Sequence, residues 1–237
     1  MSIVERNLND SSYDFIRVVW PEIKDWFGDG NSHIRPNESL KDESVATMLD
    51  RSAGIDAWLV GSASQVQGLA SRVQWCATSW DSFTVRYELV SGRETEYAKR
   101  KAAIETEGAL YPLYTVHAYV TEPRREGNLL SVAMIRTRDL IEVCDWIVGQ
   151  DYPGNWNWDR QYGIRKVNNA KFIFAMWKWL KREWFDTSDN NLWVHQVQPP
   201  KPLNSTESVT PTSACEHPTA TFDQGTLWNI YTDYDNP

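Results

Sequence analysis

The chain predicts an α/β fold with a mixed central sheet flanked by helices. Three observations lead there. Short stretches of two-residue apolar alternation recur between residues 55 and 137, helix-like segments separate them, and the order runs helix, three strands, helix, two strands, helix. A three-strand meander, followed by a helix that crosses over to further strands, gives a mixed sheet with helices on its faces.

Ser11–Phe27, "SSYDFIRVVWPEIKDWF", places Phe15, Val19, Ile23 and Trp26 at helical spacing, with Ser11 or Ser12 as cap and a kink expected at Pro21. "GDGNSHIRPNE" reads as a loop and Leu40–Leu49 as a short helix. Ile55–Val60 and Leu69–Trp75 form a hairpin. Phe83, Val85 and Tyr87 then alternate with Thr84, Arg86 and Glu88 in a third strand. Glu94–Glu107 has acids at its start, good helix formers throughout and Gly108 to end it. Tyr114–Thr121 and Leu129–Thr137 are strands around the polar turn "EPRREGN", and Arg138–Val148 is helical. "GQDYPGNWNWDRQYG" reads as a long aromatic loop. Asn169–Phe185 reads as a helix with Lys171, Lys178, Lys181 and Arg182 against a Phe/Met/Trp face.

With 237 residues, 41% of them hydrophobic, residues 1–198 can build one domain. From Pro199 the composition turns to Pro, Ser and Thr. Residues 199–237 therefore read as a tail, irregular to about Thr221, in which Phe222, Leu227, Trp228, Ile230 and Tyr231 form a docking segment for this chain or a second copy. No apolar run reaches membrane-spanning length, and "MSIVERNLND" lacks a signal-peptide core. Cys76, Cys144 and Cys215 are too few for a disulfide framework. Together these predict a soluble cytoplasmic protein. The net charge of −8 is uneven: residues 1–67 carry −5, 68–138 carry +2, 139–198 carry −1 and 199–237 carry −4. Phosphate contacts need Lys and Arg, so the acidic ends weaken a nucleic-acid partner and the mildly basic middle keeps it in play.

The strands carry the candidate chemistry. Strand side chains alternate between faces, so Arg72 and Gln74 oppose Leu69, Val73 and Trp75, while Thr84, Arg86 and Glu88 share a face. If the polar faces coincide, Arg72, Gln74, Thr84 and Arg86 cluster. Asp56 joins from the neighbouring strand, beside the helix bearing Glu94, Glu96, Lys99 and Arg100. Arginines hold phosphate in bidentate fashion, and an Asp supplies a hard oxygen for Mg²⁺.

The helix, meander, helix, strand order and the short motifs "GIDAWL" and "SRVQW" resemble the core of the PD-(D/E)XK nuclease superfamily, over roughly residues 40–137. The resemblance implies a restriction-endonuclease-like fold with Asp56 as metal-binding acid. Arg72 stands in the place of the second acid and Gln74 in the place of the lysine. Asp50, Glu43, Glu88 and Glu96 are the acids available to fill the gap. On this reading Asp56, Arg72 and Gln74 are catalytic, and Asp56, Glu96 and Asp50 hold Mg²⁺, or Mn²⁺ in its place. Arg86, Thr84, Lys99 and Arg100 hold the substrate. Metal-activated water would attack a DNA phosphodiester, and a homodimer is an expected assembly. Two rival readings remain open: an inactive nuclease-fold subunit for binding or assembly, and a small-molecule phosphate-binding protein.

Blander roles stand beside these. Asp56 after Gly54–Ile55 is also a strand-start acid that bonds backbone, and Glu96 with Arg100 is also an ordinary i,i+4 pair. His117 in an apolar strand reads as a core histidine. Trp177, Trp179, Trp184 and the "WNWDRQY" tryptophans read as packing, with stacking on unpaired bases as the alternative. Cys215 and His217 have too few partners for zinc. No Gly-rich phosphate loop, Ser/His/Asp arrangement or HExxH motif is present.

Overall fold

The computed structural model describes residues 10–27, 32–36, 54–61, 66–122, 127–150, 161–185 and 191–197. The expected helix at Leu40–Leu49, Asp50, most of the aromatic loop and the whole of residues 199–237 lie outside them.

The first segment, 10–27 (α1), is helical in three registers: a π turn over Phe15–Val19, an α turn over Trp20–Ile23 and a 3₁₀ turn over Lys24–Phe27. Pro21 sits at the start of the α turn, where a missing N–H is tolerated. Phe15, Val19 and Ile23 are buried, as their spacing predicts.

Six strands make the main sheet: β1 (His33–Pro36), β2 (Ala57–Val60), β3 (Val66–Trp75), β5 (Pro112–Val120), β6 (Leu129–Arg136) and β9 (Leu192–Gln196), in the order β1-β2-β3-β5-β6-β9. The β3–β5 pair is parallel and the others are antiparallel, so the sheet is mixed. β4 (Ser82–Leu89), β8 (Ala170–Met176) and β7 (Tyr162–Val167) make a second, antiparallel sheet in the order β4-β8-β7. Helix α2 (Glu96–Glu105) follows β4, α3 (Thr137–Gly149) follows β6, and α4 (Trp177–Trp179 continuing into Leu180–Trp184) follows β8. Among the described residues, no helix is long and apolar enough to cross a membrane.

Two cores result. Leu69, Val73, Val116, Ala118, Val132 and Met134 pack against Phe15, Val19 and Ile23 of α1. On the other face of the sheet, Tyr119, Ala133 and Ile135 meet Phe83, Val85, Ile173 and Ala175 of the second sheet, with α3 and α4 closing the layer.

Several expectations need correction. β2 and β3 form the expected hairpin, but β4 does not complete a meander. The far side of β3 is taken by β5, and β4 pairs with β8 instead. Burial explains the departure: Phe83, Thr84, Val85 and Arg86 are all buried, so β4 needs cover on both faces. The segment 169–185 is not one helix. Within β8 the four consecutive residues Phe172–Ala175 are all buried, and the helix begins only at Trp177. A strand covered on both sides loses its two-residue alternation and imitates a buried helix. The stretch expected as a loop before Leu40 contains β1, and the aromatic loop ends at β7.

Candidate functional site

The polar face of β3 looks into the space between the two sheets. Register sets its neighbours: Arg72 lies beside His117 of β5 and Gln74 beside Tyr119. Arg72 Nη1 donates to the carbonyl and to Oγ1 of Thr84, both at 2.9 Å, and Nη2 donates to Glu96 Oε2 at 3.0 Å. Thr84 is reached across the layer because β4 lies over this face.

Glu96 is positioned by the start of α2. Thr95 is the N-cap: its Oγ1 accepts from Ala98 N at 3.4 Å and donates to the Tyr87 carbonyl at 3.1 Å. That second bond ties the helix start to β4, so Glu96 lands among guanidinium groups. Its Oε1 pairs with Arg100 Nη1 at 2.8 Å, and its Oε2 takes Arg72 and, at 3.5 Å, Arg86 N. Burial alone would raise the Glu96 pKa, but Arg100, Arg72 and Arg86 overturn this and bring it down to about 2. Arg100 is buried against Gly54, whose φ of +62° a side chain rarely adopts; a Cβ there would lie 3.5 Å from Arg100 Nε.

The layer is not sealed. The side chains of Arg72 and Glu96 keep 20% and 22% exposure, whereas Arg100 keeps 5%. Deeper in, Gln74 Oε1 meets His117 Nε2 at 3.0 Å, and His117 stacks on Tyr119 with ring centres 5.2 Å apart. The His117 pKa lies well below the usual 6.5, first from burial and then from Arg72, with Arg165 and Arg100 adding to it against Glu96. The imidazole is therefore neutral near pH 7.

The sequence-predicted residues fall into three groups. Arg72, Thr84, Arg86, Glu96 and Arg100 come together as described, and Gln74 adjoins them through His117. Asp56 stands at the start of β2 with its Oδ2 2.6 Å from Ser71 N, and its own N–H donates to the Leu69 carbonyl. It thus extends the β2–β3 ladder past the strand end, the backbone role weighed for it above. Lys99 lies on α2, and its side chain makes no hydrogen bond or ion pair among the described residues; Asp50 lies outside them. Among the described residues no group of three or more His, Cys, Asp or Glu side chains converges as a metal ion requires. The donor set for Mg²⁺ or Mn²⁺ is therefore not assembled there, with Glu96 engaged by arginines and Asp56 by backbone.

Two residues near this layer went unread in the sequence. Arg165 of β7 feels the charge of Arg72, and Trp80, in the β3–β4 connection, lies under its guanidinium. No periodic signal marks either, because one sits in a connection and the other on a short strand between the stretch read as loop and the segment that begins at Asn169. Comparison of the chain with protein-family models, with curated proteins and with solved structures gives no match.

Proposed function

We propose that the protein binds the phosphate groups of DNA at the layer of Arg72, Arg86 and Arg100 around Glu96, as a nuclease-like domain that holds the strand without cutting it. One observation carries the reading: a single partly exposed carboxylate is shared by two guanidinium groups, with the charge of a third beside it. A guanidinium is always charged and presents a planar fork that fits a phosphate oxygen pair. Arg72 is the member of the set within reach of solvent, so it is the first contact for an incoming phosphate.

The motifs "GIDAWL" and "SRVQW" resemble the PD-(D/E)XK core even though β4 leaves the meander, and on those motifs alone DNA is the carrier of that phosphate. Arg72 in the place of an acid reverses the sign of the site, from one that collects a cation to one that collects an anion. Hydrolysis by metal-activated water would need Asp56 and further acids free to coordinate. The hydrogen bond to Ser71 N and the two ion pairs of Glu96 weigh against that.

The test is binding of labelled DNA oligonucleotides, followed by fluorescence anisotropy, in Mg²⁺, in Mn²⁺ and in EDTA. Binding should be equal in all three, fall as salt rises, weaken about ten-fold in Arg72→Gln and leave the DNA uncut. Absence of binding overturns the proposal. Cutting that needs the metal and is lost in Asp56→Asn would replace it with the nuclease reading.

A further inference from the structure

Trp80 is the most exposed tryptophan among the described residues, at 48%, on a connection that is otherwise pinned. Cys76 N donates to the Val120 carbonyl at 2.9 Å as the chain leaves β3. At the far end Asp81 adopts φ +47°, which is uncommon outside glycine. Its carboxylate accepts from Ser79 Oγ at 2.7 Å, Ser131 Oγ at 2.6 Å and Gln196 Nε2 at 2.6 Å. Its carbonyl accepts from Trp177 N at 2.8 Å, and the next residue, Ser82, is bonded to Tyr119 OH. A large apolar ring facing water is unfavourable, yet its connection is held by bonds to β5, β6, β9 and the start of α4. Such rigidity presents the ring in one place.

That place adjoins the cationic layer. The Arg165 guanidinium lies 5.9 Å from the Trp80 ring centre, within cation–π range. Register pairs Arg165 with Phe172 and Phe172 with Arg86, so Arg165 and Arg86 stand in one row on one face of the second sheet, the face whose Thr84 accepts from Arg72. An aromatic face beside arginines is the arrangement that takes a base and its phosphates together.

We propose that Trp80 is a stacking platform for an unpaired nucleobase, whose adjoining phosphates reach Arg165 and Arg72, so that the preferred ligand is a single strand. The inference rests on the phosphate-binding reading above and adds the base contact to it. A duplex keeps its bases stacked on one another and offers Trp80 no free face.

The experiment compares an eight-nucleotide oligothymidylate with a duplex of equal length, each against the wild type, Trp80→Ala, Trp80→Phe and Arg72→Gln. The wild type should prefer the single strand. Trp80→Ala should lose about ten-fold in single-strand affinity and little in duplex affinity, with Trp80→Phe between. Asp81→Ala should act like a milder Trp80→Ala by loosening the connection, while Asp81→Asn, which keeps one acceptor oxygen for Ser79 and Ser131 and tolerates positive φ but gives up the bond from Gln196 Nε2, should have a smaller effect still. Trp80 is exposed, so its variants should melt with the wild type. Single-strand binding that survives intact in Trp80→Ala while Arg72→Gln weakens it overturns the stacking role alone. Loss of every DNA interaction in the wild type overturns the phosphate reading and this one together.

Discussion

The two faces of β3 share one backbone and differ in nearly everything else. Toward α1, Leu69 and Val73 are buried in an apolar core, with Trp75 beside them donating from Nε1 to Asp14 Oδ2 at 2.7 Å. Toward the second sheet, Arg72 and Gln74 enter a layer built from Thr84, Glu96, Arg100 and His117. The first face follows the general rule that apolar area leaves water. The second holds several charges where neutral side chains would pack at least as well. Fold stability explains the first arrangement and not the second, which is the argument for assigning function to the polar side.

The largest expected effect breaks both faces in parallel. Leu69→Ala opens a cavity in the apolar core and should cost about 2–5 kcal/mol. Glu96→Gln leaves Arg72 and Arg100 without their carboxylate and should cost about 3–5 kcal/mol. The losses are similar, but phosphate should stabilise Leu69→Ala only as much as it stabilises the wild type and should stabilise Glu96→Gln by more, as denaturant melts with and without the anion will show. Equal gains from phosphate in the two variants would erase the distinction between the faces.

A smaller effect comes with pH. The folded Glu96 carboxyl lies near 2 against 4.5 for the ordinary group, so its stabilisation is complete above about 4.5 and is lost as pH falls toward 2. His117 is also depressed, from 6.5, so the fold loses stability below pH 6.5 as the unfolded chain takes up that proton. Both slopes have the same sign: acid destabilises. His117→Gln should flatten the wild-type curve below about pH 6.5 and leave the Glu96 contribution, which sets in below about 4.5, in place. Parallel curves for the two proteins would show that His117 does not titrate as described.

The smallest effect concerns Asp56. Asp56→Ala removes the acceptor for Ser71 N and should cost about 1–3 kcal/mol, whereas Asp56→Asn keeps an acceptor and should cost less. Equal losses would mean that the charge of Asp56, not its bond to β3, is what the fold uses.

The alternation of Leu69, Val73 and Trp75 with Arg72 and Gln74 was legible in the sequence because only one face of β3 is apolar. The same logic grouped Thr84 with Arg86, and helical spacing joined Glu96 to Arg100. β8 escaped because Phe172, Ile173, Phe174 and Ala175 are buried on both faces, which removes the two-residue signal. β1 and β9 are short edge strands, four and five residues long, with too few apolar positions to announce themselves. The partner of β4 was illegible for another reason: its alternation specifies a strand but does not say which sheet receives it. Trp80 and Arg165 belong to the site only through that long-range pairing, so local pattern had no means of joining them.

The most direct measurement is the melting temperature as phosphate replaces chloride at constant ionic strength, for the wild type, Leu69→Ala and Arg72→Gln. Specific binding to the folded state stabilises by mass action, rising as the ligand exceeds its dissociation constant. The wild type and Leu69→Ala should gain equal increments of melting temperature from phosphate, since the apolar face is remote from the anion, and Arg72→Gln should gain little. An identical phosphate response in all three proteins would contradict an anion site at Arg72 and return the layer to a purely structural role.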